Sequence, residues 1–185
     1  VAERPGALRS ARLDLVPGTV ALYEAELASV DRLGEALHAH VPPGWPPGEY
    51  DRDAIEFFLS RVREEGDGAG VWFAWYVVLR GDLDTPDTLA GSIGYFGPPK
   101  DGTVEIGYSV VESFRGRGIA SEAVAAVTAR ALALPGVLRV IAHSRPDNAP
   151  SLGVLRRAGF VDAGPGKPPG TRRFERPAPA RIPRG

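Results

Sequence analysis

Between a strand-like segment and an amphipathic one, the chain carries Arg115-Gly116-Arg117-Gly118-Ile119-Ala120. Thr103–Val111 alternates on the way in, and Ile119–Leu134 leaves with Ala120, Val124, Val127, Ala131 and Leu134 in helical register. A strand, a glycine turn and a long helix in direct succession demand a mixed α/β (α+β) domain. They also bring bare backbone N–H groups to a helix N-terminus. The first helical amides lack internal partners and carry partial positive charge, so the turn attracts phosphate. Arg115 and Arg117 can add to that attraction; the plainer alternative is a solvated surface charge on a turn that needs glycine for its shape.

Two common phosphate loops do not fit. A dinucleotide-binding turn requires a third glycine where Ser121 stands and an acidic residue about 20 positions later. Neither is present. Gly164-Pro165-Gly166-Lys167-Pro168 lacks the Lys-Ser/Thr ending and the spacing of a P-loop.

Composition narrows the partners. A net charge of −1 offers no basic field for nucleic acid. No run of about 18 apolar residues exists, so no membrane span is expected. Zero cysteines exclude disulfides, thiolate metal sites and a cysteine nucleophile, and no metal is expected elsewhere. No signal peptide is read at Val1–Pro5, which leaves a cytoplasmic reading. The 43% apolar fraction is enough for a real core. One domain is expected over 1–176, with 177–185 a disordered tail and the chain a monomer or homodimer.

Residues 1–10 read as loose, and 11–16 as a first strand. Thr19 caps one helix running to about Ala39, and Val41–Tyr50 is a stiff proline-rich loop carrying Trp45 and Tyr50. A second helix starts at Asp51 or Asp53 and runs to about Glu65. Strands follow at 71–79, 89–96 and 103–111, then the long helix, a strand at 138–142, a helix from Asn148 to Gly159, and a closing strand pair from Phe160 and at 171–175.

Arg115, Gly118 and Ala120 match the pattern Arg/Gln-x-x-Gly-x-Gly/Ala. This resembles the acetyl-CoA-binding signature of the GNAT superfamily of N-acetyltransferases. Two further landmarks carry the resemblance: Glu105-Ile106-Gly107-Tyr108 on the preceding strand, and Asn148-Ala149-Pro150-Ser151 followed by Ala158-Gly159-Phe160. The second resembles the branch that includes the ribosomal-protein N-terminal (alanine/serine) acetyltransferases. The likeness covers roughly residues 10–176. It implies a mixed, mostly antiparallel sheet of six to seven strands, splayed near its centre, with helices on both faces.

The resemblance also implies roles. Backbone amides of Arg115, Gly116, Arg117, Gly118, Ile119 and Ala120, with the Ser121 hydroxyl, would meet the pyrophosphate of acetyl-CoA. Backbone groups of Tyr108, Val110 and Val111 would meet the pantetheine arm, and Asn148 would either bind that arm or cap its helix. Many family members place a tyrosine acid where this chain has Leu155. Ser151 is the substitute expected to donate to the leaving sulfur; its alternative is a helix-turn hydrogen bond.

Glu105 follows from the residues themselves. A mid-strand carboxylate among apolar neighbours is costly to bury without a partner or a task. As a general base it would take the proton of a primary amine, with no covalent intermediate because no cysteine exists. The alternative is an edge-strand carboxylate paired with an arginine. Trp45, Tyr50 and Glu105 are the candidate acceptor-site residues, although the loop aromatics could instead anchor the loop. His38 and His40 do not share a helix face, and His143 receives no role. The competing function, favoured by Leu155, is a catalytically silent acyl-CoA-binding sensor or interaction domain.

Overall fold

A computed structural model describes residues 4–48 and 50–179. Its strands are β1 (Leu8–Arg9), β2 (Leu13–Pro17), β3 (Ala74–Leu79), β4 (Thr88–Tyr95), β5 (Thr103–Val110), β6 (Arg139–Ser144), β7 (Val161–Pro165) and β8 (Arg172–Pro177). Its α-helices are α1 (Val20–Ala28), α2 (Val30–Leu37), α3 (Arg52–Glu65), α4 (Ile119–Ala133) and α5 (Ala149–Arg157). The eight strands form one sheet in the order β1-β2-β3-β4-β5-β6-β8-β7. Only β5 and β6 run parallel.

Strand alternation sorts the core into two clusters. Leu13, Leu15, Trp75, Val77, Ile93, Val104, Ile106, Val140 and Phe174 face α4 and α5. Val16, Tyr76, Val78 and Leu89 face α1, α2 and α3 on the opposite side. That second cluster contains no residue from β5 to β8. The outer half of the sheet is therefore helix-covered on one face only.

The β5–β6 ladder pairs Thr103 with Arg139 through Ile106 with Ala142 and then stops. β5 continues to Val110 and β6 to Ser144 without pairing, so the sheet opens at this point. This is the central splay expected of the sheet.

Several boundaries differ from the sequence reading. The sheet has eight strands rather than six or seven, because Leu8–Arg9 pairs with β2. The first ten residues are not loose where they are described. Arg4, with a side chain only 3% exposed, bridges Asp14 and Asp87 and donates to the carbonyls of Leu37 and His38. The helix expected over 19–39 is two, because Ser29 is extended and its side chain accepts from the Arg32 N–H to cap α2. The strand expected from Val71 begins at Ala74, after a 3-10 turn over Asp67–Trp72. Pro177, expected to begin a disordered tail, instead pairs with Arg139, and the Ala178 N–H donates to the Leu138 carbonyl. Residues 180–185 lie outside the described ones. Among the described residues, no helix is long and apolar enough to cross a membrane.

Candidate active site

The glycine turn is open. Gly116 and Gly118 adopt φ of 75° and 77°, a left-handed geometry that other L-residues reach only with strain. Gly118 caps α4 without a side-chain cap, and the first internal bond returns from the Glu122 N–H to the Gly118 carbonyl. The amides of Ile119, Ala120 and Ser121 thus precede the first i→i−4 bond and face outward from the helix start. Residues 115–118 are exposed, so no side chain of the described residues plugs this entrance.

Charges around the turn are organised. Arg117 lies over the Phe114 ring at 5.2 Å, and the Arg115 Nε donates to the Val110 carbonyl at 3.2 Å. Glu122 would oppose an anion at this helix end, but it is occupied. Ser10 Oγ and the Arg12 backbone N–H donate to Glu122 Oε1, and Arg12 Nε donates to Oε2. Burial alone would raise this carboxyl; the Ser10 and Arg12 bonds outweigh it and hold the group below its ordinary range. Arg12 Nη1 also donates to the Arg117 carbonyl, which buttresses the turn. Arg157 Nε donates to Ser121 Oγ at 3.2 Å. Nothing in the local pattern marks Arg12 or Arg157, which are distant in sequence from the turn.

β5 presents different groups along its two edges. The Phe96 N–H donates to the Glu105 carbonyl and the Val111 N–H to the Ala90 carbonyl, so odd-numbered residues bond toward β4. Even-numbered Tyr108 and Val110 therefore turn their main-chain groups toward the opening, beyond the last β6 pair. Val111 differs from its sequence assignment: its N–H is taken by Ala90, and only its side chain lines the adjacent groove.

Asn148 caps α5, its Oδ1 accepting from the Ser151 N–H. The Ser151 hydroxyl lies 2.9 Å from the Tyr108 hydroxyl, whose single proton can go either to that oxygen or to the Ser151 carbonyl at 3.2 Å. Burial raises the Tyr108 phenol above its usual range. Leu155 is fully buried in the core. A phenol is thus present near Ser151, but it comes from β5 rather than from the helix.

Glu105 stands on the half of the sheet that α1–α3 leave bare, with its side chain 35% exposed. It is on an interior strand and has no arginine partner among the described residues. Its Oε1 lies 2.8 Å from His143 Nδ1. Beside it, a Cβ on Gly107 would come within 2.9 Å of the Phe96 ring, which is itself 63% exposed. A Cβ on Gly48 would meet Ser109 Oγ at 2.9 Å, which places the proline-rich loop over the end of β5. Pro43, Gly44, Pro47 and Gly48 line a groove of about 450 Å³ with Val111, Glu112, Ser113 and Arg115.

The two loop aromatics are not walls of that groove. Trp45 Nε1 donates to Glu26 Oε1 at 2.7 Å, and the Tyr50 and Tyr76 hydroxyls donate to Oε2 at 3.0 and 2.6 Å. Tyr50 is buried. Their hydrogen-bonding capacity is directed toward α1, so the acceptor role expected for Trp45 and Tyr50 gives way to loop anchoring. Burial raises the Glu26 carboxyl, only partly offset by these three bonds.

A family model described as an acetyltransferase (GNAT) domain matches residues 20–161. No curated protein matches the sequence. Among solved structures, the ribosomal-protein-S5-alanine acetyltransferase from Vibrio fischeri is similar at TM-score 0.67 and 18% identity, over 96% of this chain and 99% of that one. RimL, a ribosomal L7/L12 α-N-protein acetyltransferase in complex with coenzyme A, is similar at 0.64 and 19%, over 92% and 97%. The Microcin C7 self-immunity acetyltransferase MccE, in complex with acetyl-CoA and AMP, is similar at 0.61 and 15%, over 91% and 93%. At these identities the structural likeness is one of fold.

Proposed function

The chain belongs to the GNAT acetyltransferase family, and from that premise we propose that it moves an acetyl group from acetyl-CoA to a primary amine by direct attack in a ternary complex, with Glu105 as general base. One observation carries this reading. The Glu105 carboxylate, 35% exposed, and the edge of β5 at Tyr108 and Val110, which has no β6 partner, flank one opening in the sheet, and β5 leads from there into the open cradle.

The chain's own residues divide the work. Amides of Ile119, Ala120 and Ser121, with Arg115 and Arg117, bind the diphosphate. Main-chain groups of Tyr108 and Val110 orient the pantetheine arm, and the Val110 N–H is placed to receive charge developing on the carbonyl oxygen. Glu105 takes a proton from the attacking amine. The new C–N bond forms as the C–S bond breaks, and the electron pair leaves on sulfur. The Ser151 hydroxyl, backed by Tyr108, stabilises that thiolate. This hydroxyl pair supports the enzyme reading over a silent sensor, whose main support was the missing tyrosine at Leu155.

The acceptor approaches on the bare face, between Phe96 and the 43–48 loop. We place an N-terminal α-amine first. Two of the structural neighbours are named for ribosomal-protein substrates. An α-amine with a pKa of about 8 also asks less of a carboxylate base than a lysine amine near about 10.4.

The test is release of free CoA from acetyl-CoA with a panel of amines. The panel holds alanine- and serine-initiated peptides, an Nα-blocked lysine peptide and free amino acids. We expect turnover of at least one N-terminal peptide, and a loss of roughly 100-fold or more in kcat for Glu105→Gln with little change in acetyl-CoA KM. An unchanged kcat in that variant would sink the base assignment.

A further inference from the structure

We propose that His143 is the positioning residue for the Glu105 base. This rests on the reading of Glu105 given above. His143 is on β6, two residues beyond Ile141, which pairs directly with Glu105 across the parallel ladder. Alternation puts Glu105, Ile141 and His143 on the same, helix-free face. The imidazole is only 8% exposed, and its Nδ1 lies 2.8 Å from Glu105 Oε1.

A carboxylate only accepts hydrogen bonds, so the proton of this contact belongs on Nδ1. The bond takes up one oxygen of Glu105 and leaves Oε2 to meet the amine proton. A glutamate on its own has a soft terminal torsion and would sample many orientations. The imidazole is itself held in place. A Cβ on Gly166 would strike Thr171 Oγ1 and come within 2.8 Å of His143 Cδ2, so the β7–β8 connection closes directly on the ring. Arg173, opposite His143 on β8, pairs with Glu175 at 3.5 Å. The chain from Gly166 through His143 to Glu105 thus runs from a hydrogen-bonded connection to the reacting proton.

The other ring nitrogen agrees with this assignment. Nε2 is buried and has no hydrogen-bond partner among the described residues. A buried N–H without an acceptor is more costly than a bare lone pair on a neutral ring, which again favours the proton on Nδ1. The imidazole does not receive the amine's proton in this scheme. That proton goes to Glu105 Oε2, and the Nδ1–H stays where it was.

The experiment is steady-state kinetics with acetyl-CoA and the best-used peptide of the panel, on His143→Ala, His143→Asn, His143→Gln, Glu105→Gln and the Glu105→Gln/His143→Ala double variant. His143→Ala should lower kcat by roughly 10- to 100-fold, the scale of a misplaced catalytic group, and leave acetyl-CoA KM within about 2-fold. Asparagine carries an amide N–H close to the Nδ1 position and should restore most of the rate. Glutamine places its amide near the Nε2 position and should not. In the Glu105→Gln background, loss of the imidazole should cost nothing further.

Equal rates for the asparagine and glutamine variants would overturn the proposal, even if the alanine variant folds poorly. So would multiplicative losses in the double variant. Glu105→Gln at the wild-type rate would remove the base assignment and this proposal together. An impaired Glu105→Gln beside a wild-type-like His143→Ala would remove the positioning role alone.

Discussion

The two halves of the sheet treat buried polar groups in opposite ways. In the first half, β1 to β4, helices cover both faces and each buried carboxylate is fully partnered. Asp14 accepts from Arg4, Arg9 and Arg80, and Glu26 accepts from Trp45, Tyr50 and Tyr76. In the second half, β5 to β8, one face carries no helix. Glu105 is 35% exposed there, and among the described residues His143 Nε2, Arg173 Nε and Glu175 Oε2 are buried without hydrogen bonds, as are Thr128 Oγ1 and Arg130 Nη1 on α4. Unsatisfied polar atoms are normally few, because each is expensive. Three of these atoms stand on β6 and β8 beside the proposed base, which fits a first half that carries stability and a second that carries chemistry.

The sharpest way to break this contrast is Asp14→Ala. Asp14 is 1% exposed, and its loss leaves the buried Arg4 guanidinium with Asp87 as its only carboxylate partner. Removing one member of a buried ion pair costs about 3–5 kcal/mol. For a chain of this length that lowers Tm by roughly 6–20 °C. The kcat of the folded fraction should stay at the wild-type value. A melting curve and an activity assay on the same sample check both halves of the statement. A stable but inactive variant would erase the division.

A smaller effect is expected from Gly118→Ala. At φ 77°, an alanine costs about 1–2 kcal/mol of backbone strain or forces the turn to reorient its amides. The only atom near the new Cβ is Arg12 Nη2 at 3.4 Å, so the consequence is conformational rather than steric. Acetyl-CoA KM should rise roughly 10-fold, with kcat at saturation near wild type. Calorimetric titration with CoA reads the same loss without needing an acceptor. Unchanged CoA affinity would detach the cradle from the site.

What could be read from the chain beforehand follows the reach of each signal. The cradle, the alternation of Thr103–Val111 and the long helix are local, and neighbouring residues carry the whole pattern. The bare face around Glu105 was half legible, because small Gly107 and Ser109 flank it in the sequence. His143 was not, since it lies 38 residues away and meets Glu105 only once β5 and β6 are set in parallel register. Placing Ile141 opposite Glu105 would have exposed the pair, but periodicity alone does not specify register. Trp45 and Tyr50 were misassigned for the same reason. Their partner Glu26 lies two helices upstream, on a helix whose apolar stripe says nothing about a buried acid. Ser29 hid a helix break because serine inside an apolar register reads as a tolerated polar position, whereas here its hydroxyl starts a new helix.

The smallest and most discriminating test sets the two carboxylates of the first half against each other by pH. Burial would raise Asp14, but its arginine partners hold it below the ordinary range; burial raises Glu26, whose partners are neutral. A depressed carboxyl stabilises the fold above its unfolded value and loses that contribution as pH falls through its folded value. A raised carboxyl does the reverse: its contribution is present below the unfolded value and declines as pH rises through the folded one. Glu26→Gln isolates the second behaviour. Indole only donates, so the glutamine oxygen must face Trp45, and the amide nitrogen then faces Tyr50 and Tyr76, whose hydroxyls can turn to accept. The substitution should therefore cost only about 1 kcal/mol, by urea denaturation at acid pH. That deficit should shrink as pH rises past the ordinary carboxylate range, because the wild type alone loses stability there through this group. A deficit that instead grows with pH would mean that Glu26 is held ionised as firmly as Asp14. The proline-rich loop it anchors would then be tied down by charge, and the contrast between its arginine-free cage and the arginine cage of Asp14 would disappear.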